Sequence, residues 1–185
     1  GSQTFSNVYQ LIAKSAPTLP SALAYLPTSL SITSNQTGQS SIPAVSGTAP
    51  LTFSLTTTPA TGGKVTIASN GIISVTEPLA VGNYQASVKV TNGAGSVDFP
   101  NIFQISVSAP PTSFSVDVKP IMQANCASCH GWSTDYQQVR NKVDQVLDRI
   151  QRPSGTAGFM PQGGNPLTTQ QIALIQKWKD EGFAQ

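Results

Sequence analysis

Both cysteines and the single histidine of this 185-residue chain fall within five consecutive residues, Cys126-Ala127-Ser128-Cys129-His130. No other residue of either type exists, so a disulfide framework is excluded. The same scarcity limits what the cluster can do. A structural zinc site wants four Cys or His ligands, and the chain owns three in total.

Charge divides the chain. Residues 1–112 hold five charged side chains (Lys14, Lys64, Glu77, Lys89 and Asp98), and residues 113–185 hold the other thirteen. The change coincides with Ala109-Pro110-Pro111-Thr112-Ser113, where two consecutive prolines favour an extended connector. The expected organisation is an N-terminal segment 1–27, a β domain 28–108, a Pro-rich linker 109–113 and a second domain 114–185. Only 10% of residues are charged and the net charge is +2. No basic stripe supports nucleic-acid binding. No apolar run approaches the ~20 residues needed to span a bilayer. Gly1 and Ser2 read as the scar of a cleaved tag, and a signal peptide or lipid-anchor cysteine would lie upstream of them.

The first half reads as all-β. Leu51–Leu55, Val65–Ala68, Ile72–Val75, Tyr84–Val90 and Phe103–Val107 alternate apolar residues with Ser, Thr or Gln. Gly62-Gly63, Asn70-Gly71, Gly82-Asn83 and Asn92-Gly93 punctuate them with residues that tolerate the positive φ of tight turns. Tyr84–Val90 and Val97–Val107 flank such a turn and predict a hairpin; the whole pattern predicts a sandwich. Ahead of it, Phe5, Val8, Tyr9, Leu11 and Ile12 could share a helical face. Pro17, Pro20 and Pro27 interrupt the chain beyond that face; a segment packed along the sandwich is the favoured reading, and a membrane-tether remnant the alternative.

The runs Ser46–Leu55, Asn70–Ile73, Gly82–Tyr84 and Val90–Gly95 resemble the cadherin-like and Ig-like domains of bacterial surface proteins. The resemblance covers roughly residues 28–108 and implies a β-sandwich. Relatives often bind calcium through clustered acids; this half offers only Glu77 and Asp98, so no calcium site is carried over.

The second half reads as helical. Asp117 is placed to cap a short helix through Val118, Ile121 and Met122, with Pro120 tolerated in its first turn. That helix leads into Cys126. Val139, Val143, Val146, Leu147 and Ile150 fall on one face of a second helix. Pro153, Gly155 and Gly158 open a loop. Thr168 and Gln171 form a capping box before a last helix that buries Ile172, Ile175 and Trp178.

C-x-x-C-H is the haem-attachment signature. Two cysteines three apart on a helical turn present both sulfurs to the vinyl groups along one haem edge, and the next residue holds its imidazole beneath the iron. A thioredoxin-like dithiol would instead follow a strand in a βαβ unit, which the pattern lacks. One covalent haem c is the expected cofactor. Without a second histidine, the sixth ligand is left to a methionine. Met122 lies one turn before Cys126 and reads as core. Met160 sits in Gly158-Phe159-Met160-Pro161, a loop free to cross the distal face, where filling a packing gap is its alternative role.

Residues 114–185 resemble the small class I cytochrome c domains of bacterial secreted proteins. The matching elements are Val118-Lys119-Pro120-Ile121, then Cys126–Gly131, Met160-Pro161, Leu167–Ile172 and Lys177-Trp178. Gln162 stands where many relatives have a second proline. The resemblance implies an all-α cytochrome c fold, with His130 and Met160 as axial ligands, so the chain as a whole is expected to be an all-β Ig-like sandwich followed by that fold. It also implies a periplasmic or cell-surface location, because haem is attached outside the cytoplasmic membrane. Arg140, Arg149 and Arg152 are candidates for the haem propionates, against the alternative that they face solvent. Trp132 and Trp178 read as packing around the macrocycle.

Three functions are compatible with these residues. The first is electron transfer by a monomeric monohaem protein with an unspecified redox partner, the sandwich serving as spacer or docking module. The second is a haem enzyme or gas sensor, which needs a labile distal ligand and so turns on Met160. The third is adhesion or glycan binding with an accessory haem. It needs an exposed aromatic platform, whereas Phe53, Tyr84 and Phe99 read as core alternation.

Overall fold

The computed structural model describes Ser2 and residues 14–185. The helical face expected at Phe5, Val8, Tyr9, Leu11 and Ile12 lies outside those residues. The chain divides into two compact units, Gly1–Pro110 and Pro111–Gln185.

Alternation of apolar and polar residues builds the first unit. Along β8 (Gly82–Asn92), Tyr84, Ala86, Val88 and Val90 are buried while the residues between them are not. Such alternation puts every second side chain on one face. β8 pairs antiparallel with β9 (Gly95–Ser108), which buries Phe103, Ile105 and Val107. β5 (Thr52–Thr58) pairs with the other side of β8, and β2 (Ser29–Thr33) runs parallel to β9, giving the order β2-β9-β8-β5. A second sheet has the order β3-β7-β6, from Gly38–Gln39, Ile73–Val75 and Val65–Ile67. A third pairs β1 (Ser21–Ala24) with β4 (Ala44–Ser46). One core joins them: Leu23 and Tyr25 from around β1, Ile32 from β2, Val65, Ile73 and Val75, and the inward faces of β8 and β9. Each fully buried Val or Ile adds ~1.5–3 kcal/mol of transfer free energy.

Two tyrosines tie this core to the loops. Tyr25 Oη donates to the Gly71 carbonyl at 2.7 Å. Gly71 has φ +84°, and a Cβ there would come within 2.7 Å of Pro43, so the Asn70-Gly71 turn needs its glycine. Tyr84, near the start of β8, donates to the Ala80 carbonyl at 3.0 Å. A tyrosine at that position bonded to backbone a few residues upstream is the tyrosine corner of Ig-like sandwiches. Ala86 then stands two residues on, where disulfide-bearing antibody-type domains carry a cysteine. The first unit is an Ig-like β-sandwich.

Details differ from the sequence expectation. β1 lies ahead of residue 28, where the sandwich was expected to begin. Its Pro-rich surroundings conceal a short strand paired with Ala44–Ser46, and ahead of it Thr18 N–H donates to Thr48 Oγ1 at 2.8 Å. The hairpin at 92–95 is organised by a side chain rather than by positive φ at Gly93. Asn92 Oδ1 accepts from Ala94 N–H at 2.9 Å, while its amide donates to the Thr18 and Thr48 carbonyls at 2.7 and 2.9 Å.

The second unit opens on Ser113. Its Oγ accepts from Val116 N–H at 3.2 Å, and its own N–H donates to Asp117 Oδ2 at 2.8 Å. Ser113 is thus the cap and Asp117 the returning partner, reversing the role expected for Asp117. A π-type turn over Phe114–Val118 leads into α1 (Lys119–Asn125), with Pro120 in its first turn. A 3-10 turn over Gly131–Thr134 precedes α2 (Tyr136–Ile150), whose N-cap Asp135 accepts from Gln138 N–H. α2 buries Val139, Val143, Val146, Leu147 and Ile150, the expected face. α3 (Thr169–Asp180) carries the complete Thr168/Gln171 capping box and buries Ile175 and Trp178, while Ile172 stays half-buried.

This overturns the expectation of an all-α cytochrome c fold. Only three α-helices form among the described residues, and they take up fewer than half of the second unit. Pro153, Gly155, Gly158, Pro161, Gly163, Gly164 and Pro166 keep residues 151–168 out of helix. After α3 the chain turns through Glu181 and Gly182, and Ala184 forms an isolated parallel bridge with Ser113. With several sheets in the first unit, the chain as a whole is mixed β and α.

Candidate functional site

The Cys-Ala-Ser-Cys-His segment forms a hydrogen-bonded turn at the end of α1. Cys126 N–H donates to Met122 O at 2.9 Å and closes the helix. Cys126 O then accepts from Cys129 N–H at 3.2 Å and His130 N–H at 2.9 Å. One carbonyl therefore fixes the spacing of all three side chains. Cys126 is half-buried, Cys129 is exposed, and both are free thiols. Burial pushes the Cys126 thiol pKa up, since desolvation disfavours the thiolate.

Two cavities share Cys126, His130 and Met160. The first, about 460 Å³, is walled by Met122, Val146 and Ile150, with Trp132, Lys142, Gln145 and Arg149 completing it. The second, about 470 Å³, adds Cys129 and the neutral polar stretch from Gln162 to Asn165. Met122 is fully buried, so it serves as core and as cavity wall together. The Trp132 ring lies 5.3 Å from the His130 ring between centroids, and Lys142 Nζ is 5.5 Å from the Trp132 ring.

Met160 reaches these cavities because its loop is pinned to α2. Met160 N–H donates to Arg149 O at 3.1 Å, and buried Phe159 anchors the residue before it. Gly158 has φ +78°, and a Cβ there would collide with the Arg149 guanidinium. Arg152 closes the same loop by donating to Ala157 O at 2.9 Å.

Of the three arginines expected at a propionate, only Arg149 lines a cavity. Arg140 stacks on Phe183 at 5.2 Å, and Arg152 pairs with Asp148 at 2.8 Å. Trp178 does not line the cavities either. It is wholly buried among Phe114, Tyr136 and Phe183, and its Nε1 donates to Ala184 O at 2.7 Å. Lys142 and Gln145 were missed by sequence reasoning. The signal that could have found Lys142 is its spacing of seven residues from Arg149, beside the apolar face of the same helix.

Among the described residues no group of three or more His, Cys, Asp or Glu side chains is gathered to hold a metal ion. A bare ion is thus poorly served. A metal that arrives inside a macrocycle needs only axial donors from the protein. One imidazole and one thioether lining shared cavities, with two thiols at the edge, fit that requirement. Both cavities lie within the ~300–1,000 Å³ typical of cofactor sites.

No known family profile matches the chain, and no curated protein does. Among solved structures, a SusE-like surface-located polysaccharide-binding protein of Bacteroides thetaiotaomicron matches 58% of this chain at 17% identity and TM-score 0.43. This chain covers 18% of that protein. The Ig-like domain of human leucine-rich repeat-containing protein 4 matches 55% of this chain and 98% of its own, at 16% identity and TM-score 0.34. A putative α-galactosidase of Bacteroides fragilis matches 94% of this chain and 38% of its own, at 16% identity and TM-score 0.38. At such scores the matches decide neither fold nor function, and the sandwich rests on its own strand order and tyrosine corner.

Proposed function

We propose that the second unit carries one covalently attached haem on Cys126, Cys129 and His130, and that the protein transfers electrons outside the cytoplasmic membrane. The observation that carries this reading is the sharing of two cavities by Cys126, His130 and Met160. The motif resemblance to class I c-type cytochromes supports it, although the all-α fold drawn from that resemblance does not hold.

When bound, the haem supplies a one-electron iron couple. The Cys126 and Cys129 thiols form the thioether links, and His130 supplies the nitrogen ligand. Met160 supplies sulfur, a soft donor that favours the reduced state relative to a second imidazole. Met122, Val146 and Ile150 exclude water on the inner side. The loop contacts through Arg149 O and Phe159 hold Met160 at the cavities, where its sulfur would compete with a gaseous ligand. The sandwich acts as spacer or docking module in the periplasm or at the cell surface.

The test is the absorption spectrum of haem-loaded protein in both redox states. A weak far-red thioether-to-ferric-iron band should be present in the wild type and vanish in Met160→Ala. A wild type that lacks the band and binds carbon monoxide readily would overturn the relay and favour an enzyme or gas sensor.

A further inference from the structure

Only two charged side chains line either cavity, Lys142 and Arg149, and both are cations. They stand seven residues apart on α2, about 10 Å along the helix axis. Between them Val146 presents an apolar wall, and Gln145 lies on the same stretch. Both cations are half-buried. Lys142 makes no ion pair among the described residues, and its Nζ instead sits by the Trp132 ring. Arg149 has a loose contact to Asp148 at 3.5 Å and donates to Gly158 O at 3.5 Å, at the outer limit of a hydrogen bond. Neither is committed to a strong partner. An apolar cavity with two under-used cations on one wall and no anion suits a flat apolar ligand that bears two carboxylates along one edge.

We infer that Lys142 and Arg149 form a two-point clamp for the haem propionates, at the edge remote from the thioether links. The inference rests on the haem reading proposed above and gives it a direction. The thioether edge would be held at the Cys126–Cys129 turn and the carboxylate edge along α2. Arg140 and Arg152, engaged with Phe183 and Asp148, take no part. The division of labour is a matter of chemistry. Arg149 offers a planar fork and Lys142 a mobile point charge on a long stem.

Lys142→Met is the cleaner test, because the Arg149 guanidinium also touches the loop that holds Met160. Haem-loaded wild type, Lys142→Met, Arg149→Gln and a control, Lys177→Met, are compared by spectroelectrochemical midpoint potential and by the propionate bending band in resonance Raman spectra. An unpaired carboxylate favours the more positive ferric state. Lys142→Met should therefore lower the potential and shift the propionate band, and Lys177→Met should do neither. A Lys142→Met protein indistinguishable from Lys177→Met overturns the clamp. So does a lowered potential with an unshifted band, since a distant charge would produce that. Failure of the haem reading shows separately, as a wild type with no thioether-linked haem spectrum.

Discussion

Ser133 is wholly buried, and its Oγ has no hydrogen-bond partner among the described residues. Its backbone is nonetheless engaged, donating to His130 O at 2.9 Å and so closing the turn after the histidine. The hydroxyl therefore carries a desolvation cost without return. Ser133→Ala should raise the stability of the second unit by about 1 kcal/mol, read from denaturant midpoints; a loss of similar size would mean that the hydroxyl has a partner such as bound water. Tyr25 presents the opposite case, a buried hydroxyl with a good acceptor. Burial pushes its pKa from 10.0 up to about 12. The folded state thus keeps a proton that the unfolded chain releases. This contribution is intact below pH 10 and is lost as pH rises from 10 to 12. Sandwich stability should fall more steeply across that window in the wild type than in Tyr25→Phe, whose phenyl ring cannot ionise. Parallel curves would refute the assignment.

At the scale of elements, local rules account for α2 and α3 well. The capping box at Thr168 and Gln171 forms as two hydrogen bonds of 2.9 and 3.2 Å. Thr168→Ala should cost about 1 kcal/mol, measured by the fluorescence of Trp132 and Trp178, which both lie in the second unit. An unchanged midpoint would show that tertiary packing alone holds α3. The β8–β9 hairpin was equally legible, because alternation over many residues leaves only one register that buries Tyr84, Ala86, Val88 and Val90. β1 was not, since three prolines surround a four-residue strand whose pairing partner, Ala44–Ser46, lies twenty or more residues away with no turn signal joining the two. The cysteine turn was legible from spacing alone. The cavity wall was legible only in part: a seven-residue spacing puts Lys142 and Arg149 on one side of α2, but which cations face the cavity, and that Arg140 and Arg152 do not, depends on where the 151–168 loop packs.

The whole molecule combines a charge-poor Ig-like sandwich with a smaller unit built around the cysteine turn. Cys126, Cys129, His130 and Met160 were named from sequence and line one cavity together, yet the all-α fold attached to that motif did not form. Proline and glycine over residues 151–168 and the non-helical stretch after Asp180 account for the difference. The central claim is covalent attachment at the cysteine pair. Its most direct measurement is the mass of the denatured chain after expression in cells that attach haem to c-type cytochromes, for wild type and for the Cys126→Ala/Cys129→Ala double variant. The account predicts that the wild-type mass includes one haem that survives acidic organic extraction, and that the double variant is lost as apoprotein. A wild-type chain of bare polypeptide mass, or a haem stripped by extraction, would contradict it.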